Sequence, residues 1–173
     1  LSLCTDPIAI SEDDTDVQFS DVTIGPDGRV YVTWSQIFGE LTEEPQTFVH
    51  KLRVAEPGST TFGPEKVVAT EELPIPFGGF LNANDFRVAT YPKNAVALVG
   101  GKPRIFVVWD ACRYRPLDSV CEEAHIKLVW SDDFGDTWVG PAELSRGGNN
   151  YFPSIDWDDE TGNGDLAFTP ATV

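Results

Sequence analysis

Several arginines could bind an anionic ligand. The candidate ligand-binding residues are Asp85, Arg87, Arg113, Tyr114 and Arg115. A guanidinium group presents its donors in a planar fork that suits a carboxylate, so the three arginines of this set could supply cationic contacts in an otherwise acidic chain. The alternative for Arg87 is a local ion pair with Asp85 or Asp110.

A second set of chemically capable residues is the acidic run between Asp156 and Asp165. Its carboxylates could bind Ca²⁺, but the spacing departs from a calcium loop because the glycine falls one residue late and no glutamate closes the run. A hairpin turn with solvated carboxylates is the favoured interpretation, with Ca²⁺ as the alternative and no other cofactor expected. His50 and His125 are expected to pack within strands rather than to bind a metal.

The charge balance limits the classes of partner. The chain has 28 acidic and 12 basic side chains among 173 residues, which gives a net charge of −16. The electrostatic field of such a charge repels nucleic acids and anionic membranes. The sequence also contains no run of 18 apolar residues, the length that a membrane-spanning helix requires. We therefore expect a protein partner or other chains of an assembly, with a glycan as a further option.

The cysteines indicate the compartment. Cys112 and Cys121 enclose a polar, proline-containing segment, which favours a disulfide that closes a loop in an oxidising environment. Two free buried thiols are the alternative. Cys4 has no evident mate, and the chain contains no methionine, so we expect an excerpt of an extracellular or cell-surface protein.

An internal repeat organises the chain. Each copy begins with a proline-containing strand that ends in Ser or Thr, continues through a loop to an aromatic residue, and then has two further strands. The aromatic residues are Phe19, Phe86 and Phe152, at intervals of 67 and 66 residues. With one more strand between copies, the unit is a four-stranded antiparallel meander.

One octapeptide, residues 131–138, has a distinctive pattern of its own. It reads Ser-x-Asp-x-Gly-x-Thr-Trp, and its defining residues are Ser131, Asp133, Gly135, Thr137 and Trp138. Extended, β-branched sequence on both sides predicts a hairpin turn, in which glycine can take a positive φ and the small polar side chains can bond nearby backbone N–H groups. Residues 56–60 hold a weakened copy that lacks the tryptophan.

The octapeptide resembles the Asp-box, or BNR repeat, of sialidases and related β-propellers. The resemblance implies an all-β, sialidase-like propeller of four-stranded antiparallel blades, with about two complete blades and flanking strands in this chain. We expect residues 6–11 to be the last strand of a preceding blade, 17–70 one blade, 84–145 a blade with the Asp-box, and 151–173 the start of the next. We expect the chain to be a fragment of a longer polypeptide, with self-assembly of several chains into a ring as the alternative. A two-sheet sandwich built from the same strands is the alternative fold.

The meander also predicts where function lies. The octapeptide shares one face with residues 25–28, 92–102 and 158–164, whereas longer loops at 36–46, 71–85, 111–123 and 146–150 occupy the opposite face. Long loops on a rigid scaffold usually carry binding function. We therefore expect a non-catalytic, extracellular scaffold that binds a protein or glycan or serves as an assembly subunit.

The alternative implied by the resemblance is a fragment of an exo-sialidase-like glycoside hydrolase. Such enzymes hold the substrate carboxylate with three arginines and use a tyrosine nucleophile. Arg87 partly matches the motif of the first arginine, but the following proline is absent. No catalytic residue is therefore assigned.

Overall fold

The computed structural model describes residues 6–11, 14–39, 45–74, 89–115, 120–145, 147–158 and 160–171. These residues form ten antiparallel strands. Sheet 1 contains β1 (Val17–Ile24), β2 (Val30–Phe38), β3 (Gln46–Ala55) and β4 (Lys66–Leu73). Sheet 2 contains β5 (Lys93–Val99), β6 (Lys102–Arg115), β7 (Val120–Ser131) and β8 (Val139–Glu143). Hairpin 3 contains β9 (Asn149–Asp158) and β10 (Asn163–Ala171).

The predicted four-stranded meanders are confirmed. In each complete sheet the strands pair in sequence order, so connections alternate between the two ends of the sheet. We call the end with the connections 25–29, 56–65, 100–101, 132–138 and 159–162 the turn face. The opposite end, with the connections 39–45, 74–92, 116–119 and 144–148, is the loop face.

Aliphatic and aromatic side chains fill the space between the sheets. Alternating residues of β2 and β6 point to opposite faces, as strand geometry requires. The main cluster lies between sheet 1 and sheet 2 and includes Tyr31, Leu52, Val107 and Trp109, each fully buried. A second cluster, with Phe48, Leu73, Cys112, Ala124 and Tyr151, joins both sheets and hairpin 3 near the loop face.

The first strand of sheet 2 differs from the sequence prediction. Residues 92–102 were expected to form a turn, but most of them form β5 and the start of β6, joined by Gly100 and Gly101. Both glycines have positive φ, 61° and 79°, which allows a two-residue hairpin turn whose twist matches the flanking strands. The Gly-Gly pair after an apolar run was the signal for this hairpin.

The aromatic position of the repeat shifts accordingly. Tyr91, not Phe86, is the residue equivalent to Phe19 and Phe152. In sheet 1, Asp21 lies two residues after Phe19 and pairs with Thr33, which precedes Trp34. In sheet 2, Lys93 lies two residues after Tyr91 and pairs with Val108, which precedes Trp109. The Tyr91 ring lies 5.6 Å from Phe19 and 6.0 Å from Phe152, centroid to centroid. Phe86 itself is outside the described residues.

Residues 6–11 carry no strand hydrogen bonding in the structure. Their assignment to the last strand of a preceding blade stays a prediction, as do the blade boundaries at 17–70, 84–145 and 151–173. Within the described part of the chain there is no helix that could cross a membrane.

Candidate functional site

Polar side chains are buried directly beneath the loop face. The group spans both sheets and hairpin 3, and its members are Ser35, Gln36, Gln46, His50, Thr90, Asp110, His125, Ser145 and Asn150. Burying polar groups costs free energy unless they are hydrogen-bonded, so such a layer demands a specific arrangement. This layer is the floor of the candidate site.

Asp110 contributes a carboxyl group to this layer. It lies on β6, is fully buried, and faces Tyr91 and the β9 residues Tyr151 and Phe152. Burial raises the pKa of Asp110 to about 7, and the backbone N–H groups of Tyr91 and Phe152 oppose this rise only in part. A perturbed carboxyl group of this kind marks a candidate functional region.

The two tyrosines beside Asp110 are held as neutral phenols. Burial, followed by the charge of Asp110, raises the pKa of Tyr91 and that of Tyr151 to about 12. A neutral phenol can donate a hydrogen bond but is a poor nucleophile. Tyr151 is buried among core side chains, and Tyr91 is half-buried between the rings of Phe19 and Phe152.

A hydrogen-bonded chain connects Asp110 to sheet 1. The Thr90 hydroxyl donates to the Asp110 backbone carbonyl at 2.5 Å, and its oxygen lies 3.5 Å from His50 Nε2. His50 Nδ1 lies 2.8 Å from Ser35 Oγ, and the imidazole packs against Trp109 with ring centroids 5.4 Å apart. Burial lowers the pKa of His50 to about 3, so the imidazole is neutral and serves packing.

Arg113 projects from the rim of the loop face. It lies near the end of β6, its side chain is 60% exposed, and its guanidinium is 3.6 Å from Glu123. At that distance the pair is a loose surface contact that water and ions screen. The guanidinium is thus accessible to a ligand on this face.

The predicted disulfide is confirmed and lies under Arg113. Cys112 on β6 is bonded to Cys121 on β7. Much of the predicted loop 111–123 is strand, because β6 continues to Arg115 and β7 begins at Val120. The crosslink fastens this long hairpin where it extends over the loop face, so it limits the motion of Arg113.

Of the remaining predicted ligand-binding residues, two lie on a described strand. Tyr114 and Arg115 follow Arg113 on β6, but their side chains lie outside the described part of the chain. Asp85 and Arg87 also lie outside the described residues. Their roles stay predictions.

Two other described arginines, Arg29 and Arg104, form ion pairs on the turn face. Arg29 is bonded to Asp27 and Glu56, and Arg104 makes two hydrogen bonds to Asp132 at 2.6 and 2.7 Å. Paired geometry of this kind holds the guanidinium in place and neutralises it. The Arg113 side chain is therefore more exposed than those of Arg29 and Arg104, and its ion pair is longer.

The octapeptide forms the β7–β8 turn on the turn face. Ser131 Oγ accepts from the Gly135 N–H at 2.8 Å and donates to Asp133 at 2.7 Å. The Asp133 carboxylate accepts from both the N–H and the hydroxyl of Thr137, and these bonds lower the pKa of Asp133 to about 2. The side chains thus tie the turn to itself.

The same turn also joins the two sheets. Lys66 on β4 donates to the Phe134 carbonyl at 2.9 Å and pairs with Asp136 at 2.7 Å. Arg29 stacks over the Phe134 ring, 4.5 Å from its centroid. Trp138 packs against the cluster between the sheets. The turn therefore contributes to architecture on the face opposite the candidate site.

Replacing Gly135 with alanine should destabilise the protein by about 1–2 kcal/mol more than the same change at Gly58. Both glycines have positive φ, 90° and 72°, so both substitutions strain the backbone. A Cβ at Gly135 would lie 2.8 Å from Leu52 Cδ2, whereas one at Gly58 meets nothing within 4 Å. Chemical denaturation of both variants measures the difference, and equal losses would contradict intersheet packing of the turn.

The acidic run between Asp156 and Asp165 spans the β9–β10 turn. The Asp158 carboxylate accepts from the Glu160 N–H at 2.8 Å and from the Thr161 hydroxyl at 2.7 Å. Across the described residues, no three His, Cys, Asp or Glu side chains converge as metal ligands would. Calcium binding at this turn stays an untested prediction.

Sequence reasoning named Asp110 only as a partner for Arg87 and missed its burial. Tyr91 and Tyr151 were missed altogether. Asp110 directly follows the apolar run 105–109, and β6 continues beyond it to Arg115. A charged residue inside an apolar strand was therefore the signal in the sequence for a buried carboxyl group. The residues that surround Asp110 lie on β9 and in the segment before β5, and no local sequence pattern indicates that these segments meet β6.

Comparison with known proteins identifies the fold. Seventeen chains of solved structure match, among them the Hadza microbial sialidase Hz136, with a TM-score of 0.52 and 10% sequence identity. The match covers 91% of this chain and 36% of the sialidase chain. No known protein family and no curated protein matches the sequence. The chain therefore has a sialidase-like fold and spans about a third of that sialidase's length.

Proposed function

We propose that this chain is part of a non-catalytic, extracellular propeller module that binds a partner through its loop face. The partner is a glycan or protein that presents a carboxylate to Arg113. The observation that carries the proposal is the exposed Arg113 guanidinium, loosely paired with Glu123 on a hairpin that a disulfide fastens. In a chain with a net charge of −16, an accessible cation gives local selectivity for an acidic group.

The tyrosines beneath this face support binding over catalysis. A tyrosine nucleophile must lose its proton readily, but Tyr91 and Tyr151 both have a pKa raised to about 12. Tyr91 is half-buried, so as a neutral phenol it can donate to a ligand oxygen, whereas Tyr151 is buried and packs in the core. The disulfide supports an extracellular location, because such bonds persist in oxidising compartments.

A carboxylate-bearing sugar provides the direct test. We expect 3′-sialyllactose to bind the full-length protein more tightly than lactose does, measured by isothermal titration calorimetry. Arg113→Ala should weaken sialyllactose binding about tenfold, because a hydrogen bond to a charged group contributes about 1.5 kcal/mol. The matched control is Arg104→Ala on the turn face, which should leave the affinity unchanged.

The same protein distinguishes the alternative, an exo-sialidase-like hydrolase. Release of the fluorophore from a fluorogenic sialoside, abolished by Arg87→Ala, would establish hydrolysis and contradict the non-catalytic proposal. Equal affinities for lactose and sialyllactose would contradict recognition of a carboxylate by Arg113.

A further inference from the structure

A polar cavity lies where the first strands of sheet 1, sheet 2 and hairpin 3 meet. Its volume is about 360 Å³, which is within the range of small-molecule binding sites. Its lining consists of residues 21, 23–26, 93–96 and 154–157, and we call it the inner-strand cavity. None of these described lining residues is an arginine or belongs to a loop-face connection. The cavity is therefore separate from the surface around Arg113.

One side of the inner-strand cavity holds an ion pair between the two complete sheets. The Lys93 ammonium on β5 donates to Asp21 Oδ1 on β1 at 2.8 Å. Asp21 Oδ2 accepts from the backbone N–H of Asn94 at 2.9 Å and from its side-chain amide at 3.3 Å. These donors fix the Asp21 carboxylate, which in turn positions Lys93. The Lys93 side chain is 33% exposed, so the N–H groups that Asp21 does not use can reach a ligand.

The other side of the inner-strand cavity presents oxygen atoms from β9. Ser154 and Asp156 are exposed and lie two residues apart, so the strand directs both side chains to the same face. Asp156 Oδ1 accepts from the backbone N–H of Trp157 at 2.8 Å, whereas Oδ2 makes no hydrogen bond to a described residue. Asp156 is therefore an acceptor for a ligand hydroxyl group, and Lys93 is a donor to one.

Trp157 gives the inner-strand cavity an apolar wall. Its half-buried indole stacks on Phe106 of β6, with ring centroids 5.1 Å apart and an interplanar angle of 10°. Gly164 pairs with it across hairpin 3, and a Cβ at Gly164 would lie 2.7 Å from Trp157 Cε3. Phe106 and the missing side chain of Gly164 thus hold the indole in one place. The C–H groups of a sugar ring can pack on the exposed part of such an immobilised side chain.

The charges around the inner-strand cavity select against charged ligands. An anion meets the carboxylates of Asp21 and Asp156, and Lys93 cannot neutralise it because Lys93 is already paired with Asp21. A cation meets the Lys93 ammonium, and the attraction of the exposed Asp156 is screened by water and salt. A neutral ligand with several hydroxyl groups avoids both costs and still uses the donor and the acceptor.

We propose that the inner-strand cavity binds a neutral sugar residue. One ligand hydroxyl accepts from the Lys93 ammonium, a second donates to Asp156, and ring C–H groups pack on Trp157. Asn94 is a positioning residue, because it holds Asp21 and, through Asp21, Lys93. The site is independent of the carboxylate contact proposed at Arg113.

A set of sugars of different charge tests the proposal. The neutral probes are the methyl glycosides of glucose, galactose and mannose, and each is compared with the amino sugar and the uronate of the same stereochemistry. We expect at least one neutral glycoside to bind the full-length protein about tenfold more tightly than either charged counterpart, because each counterpart places a poorly compensated charge in the cavity. Isothermal titration calorimetry measures the affinities.

A variant that fills the cavity assigns the binding to this site. Ser154→Trp adds an indole at the exposed rim and leaves the pair of Asp21 and Lys93 in place. We expect it to abolish binding of the neutral glycoside, and only binding that this change removes is assigned to the cavity. The matched control is Asn163→Trp, which adds an indole at the exposed start of β10 and should leave the affinity unchanged.

Neutral-glycoside binding that Ser154→Trp leaves unchanged would overturn the proposal, as would tighter binding of the uronates in the cavity. A lack of measurable binding by all three neutral glycosides at millimolar concentrations would also overturn it. Binding of sialyllactose at Arg113 should survive Ser154→Trp, so failure of the cavity site and failure of the loop-face site give different results.

Discussion

Replacing Asp110 with asparagine should stabilise the protein at pH 8 by about 3 kcal/mol. Burial raises the pKa of Asp110 from 3.8 to about 7, so at pH 8 the folded protein holds a buried, ionised carboxylate at considerable cost. Asparagine has nearly the same shape and carries no charge. Guanidinium denaturation of both proteins at pH 8 measures the difference.

The sign of the pH dependence follows from the direction of the shift. Because the folded state binds the Asp110 proton more tightly than the unfolded state, the contribution of this group to stability is largest below about pH 4. It falls by about 1.4 kcal/mol per pH unit between about pH 4 and 7 and is lost above the folded pKa. Asp110→Asn should remove this decline between pH 5 and 7.

Asp133 provides a control of opposite sign. The pKa of Asp133 is lowered to about 2 by its bonds to Thr137 and Ser131, so its contribution is present above pH 4 and is lost only in more acidic solution. Asp133→Asn should therefore leave the slope between pH 5 and 7 unchanged. A wild-type stability that is flat across this range would contradict the buried, ionisable state of Asp110.

Replacing Trp109 with alanine should destabilise the protein by about 4 kcal/mol, among the largest effects of any single change. Trp109 is fully buried between sheets 1 and 2, where it packs against His50 and belongs to the main cluster. Its removal leaves a large cavity at the interface that holds the sheets together. Chemical denaturation at pH 6 measures the loss.

Trp109→Phe separates packing from hydrogen bonding. Phenylalanine keeps most of the ring but cannot donate to Glu71, so we expect a loss of about 1–2 kcal/mol. Lys127 remains bonded to both Glu71 oxygens in this variant. A loss below 1 kcal/mol for Trp109→Ala would show that packing between the sheets contributes little to stability.

Local sequence patterns predicted the meanders because strand formation depends on neighbouring residues. Alternating and β-branched runs predicted most strands, and the 131–138 turn was expected from its glycine and small polar residues. The cysteine spacing predicted the confirmed bond between Cys112 and Cys121. The first strand of sheet 2 was misplaced because Phe86 matched the aromatic spacing better than Tyr91, although Gly100–Gly101 marked the true hairpin.

The sequence alone therefore determined the strand order and the all-β class, because side-chain alternation and turn residues act over a few positions. Only the tertiary structure decided which side chains meet across sheets. The burial of Asp110 depends on Tyr91 and Tyr151, and the contact of Asp14 with Trp34 and Lys51 spans up to 37 residues. Long-range contacts arise when whole sheets pack, and packing depends on three-dimensional placement that no local pattern encodes.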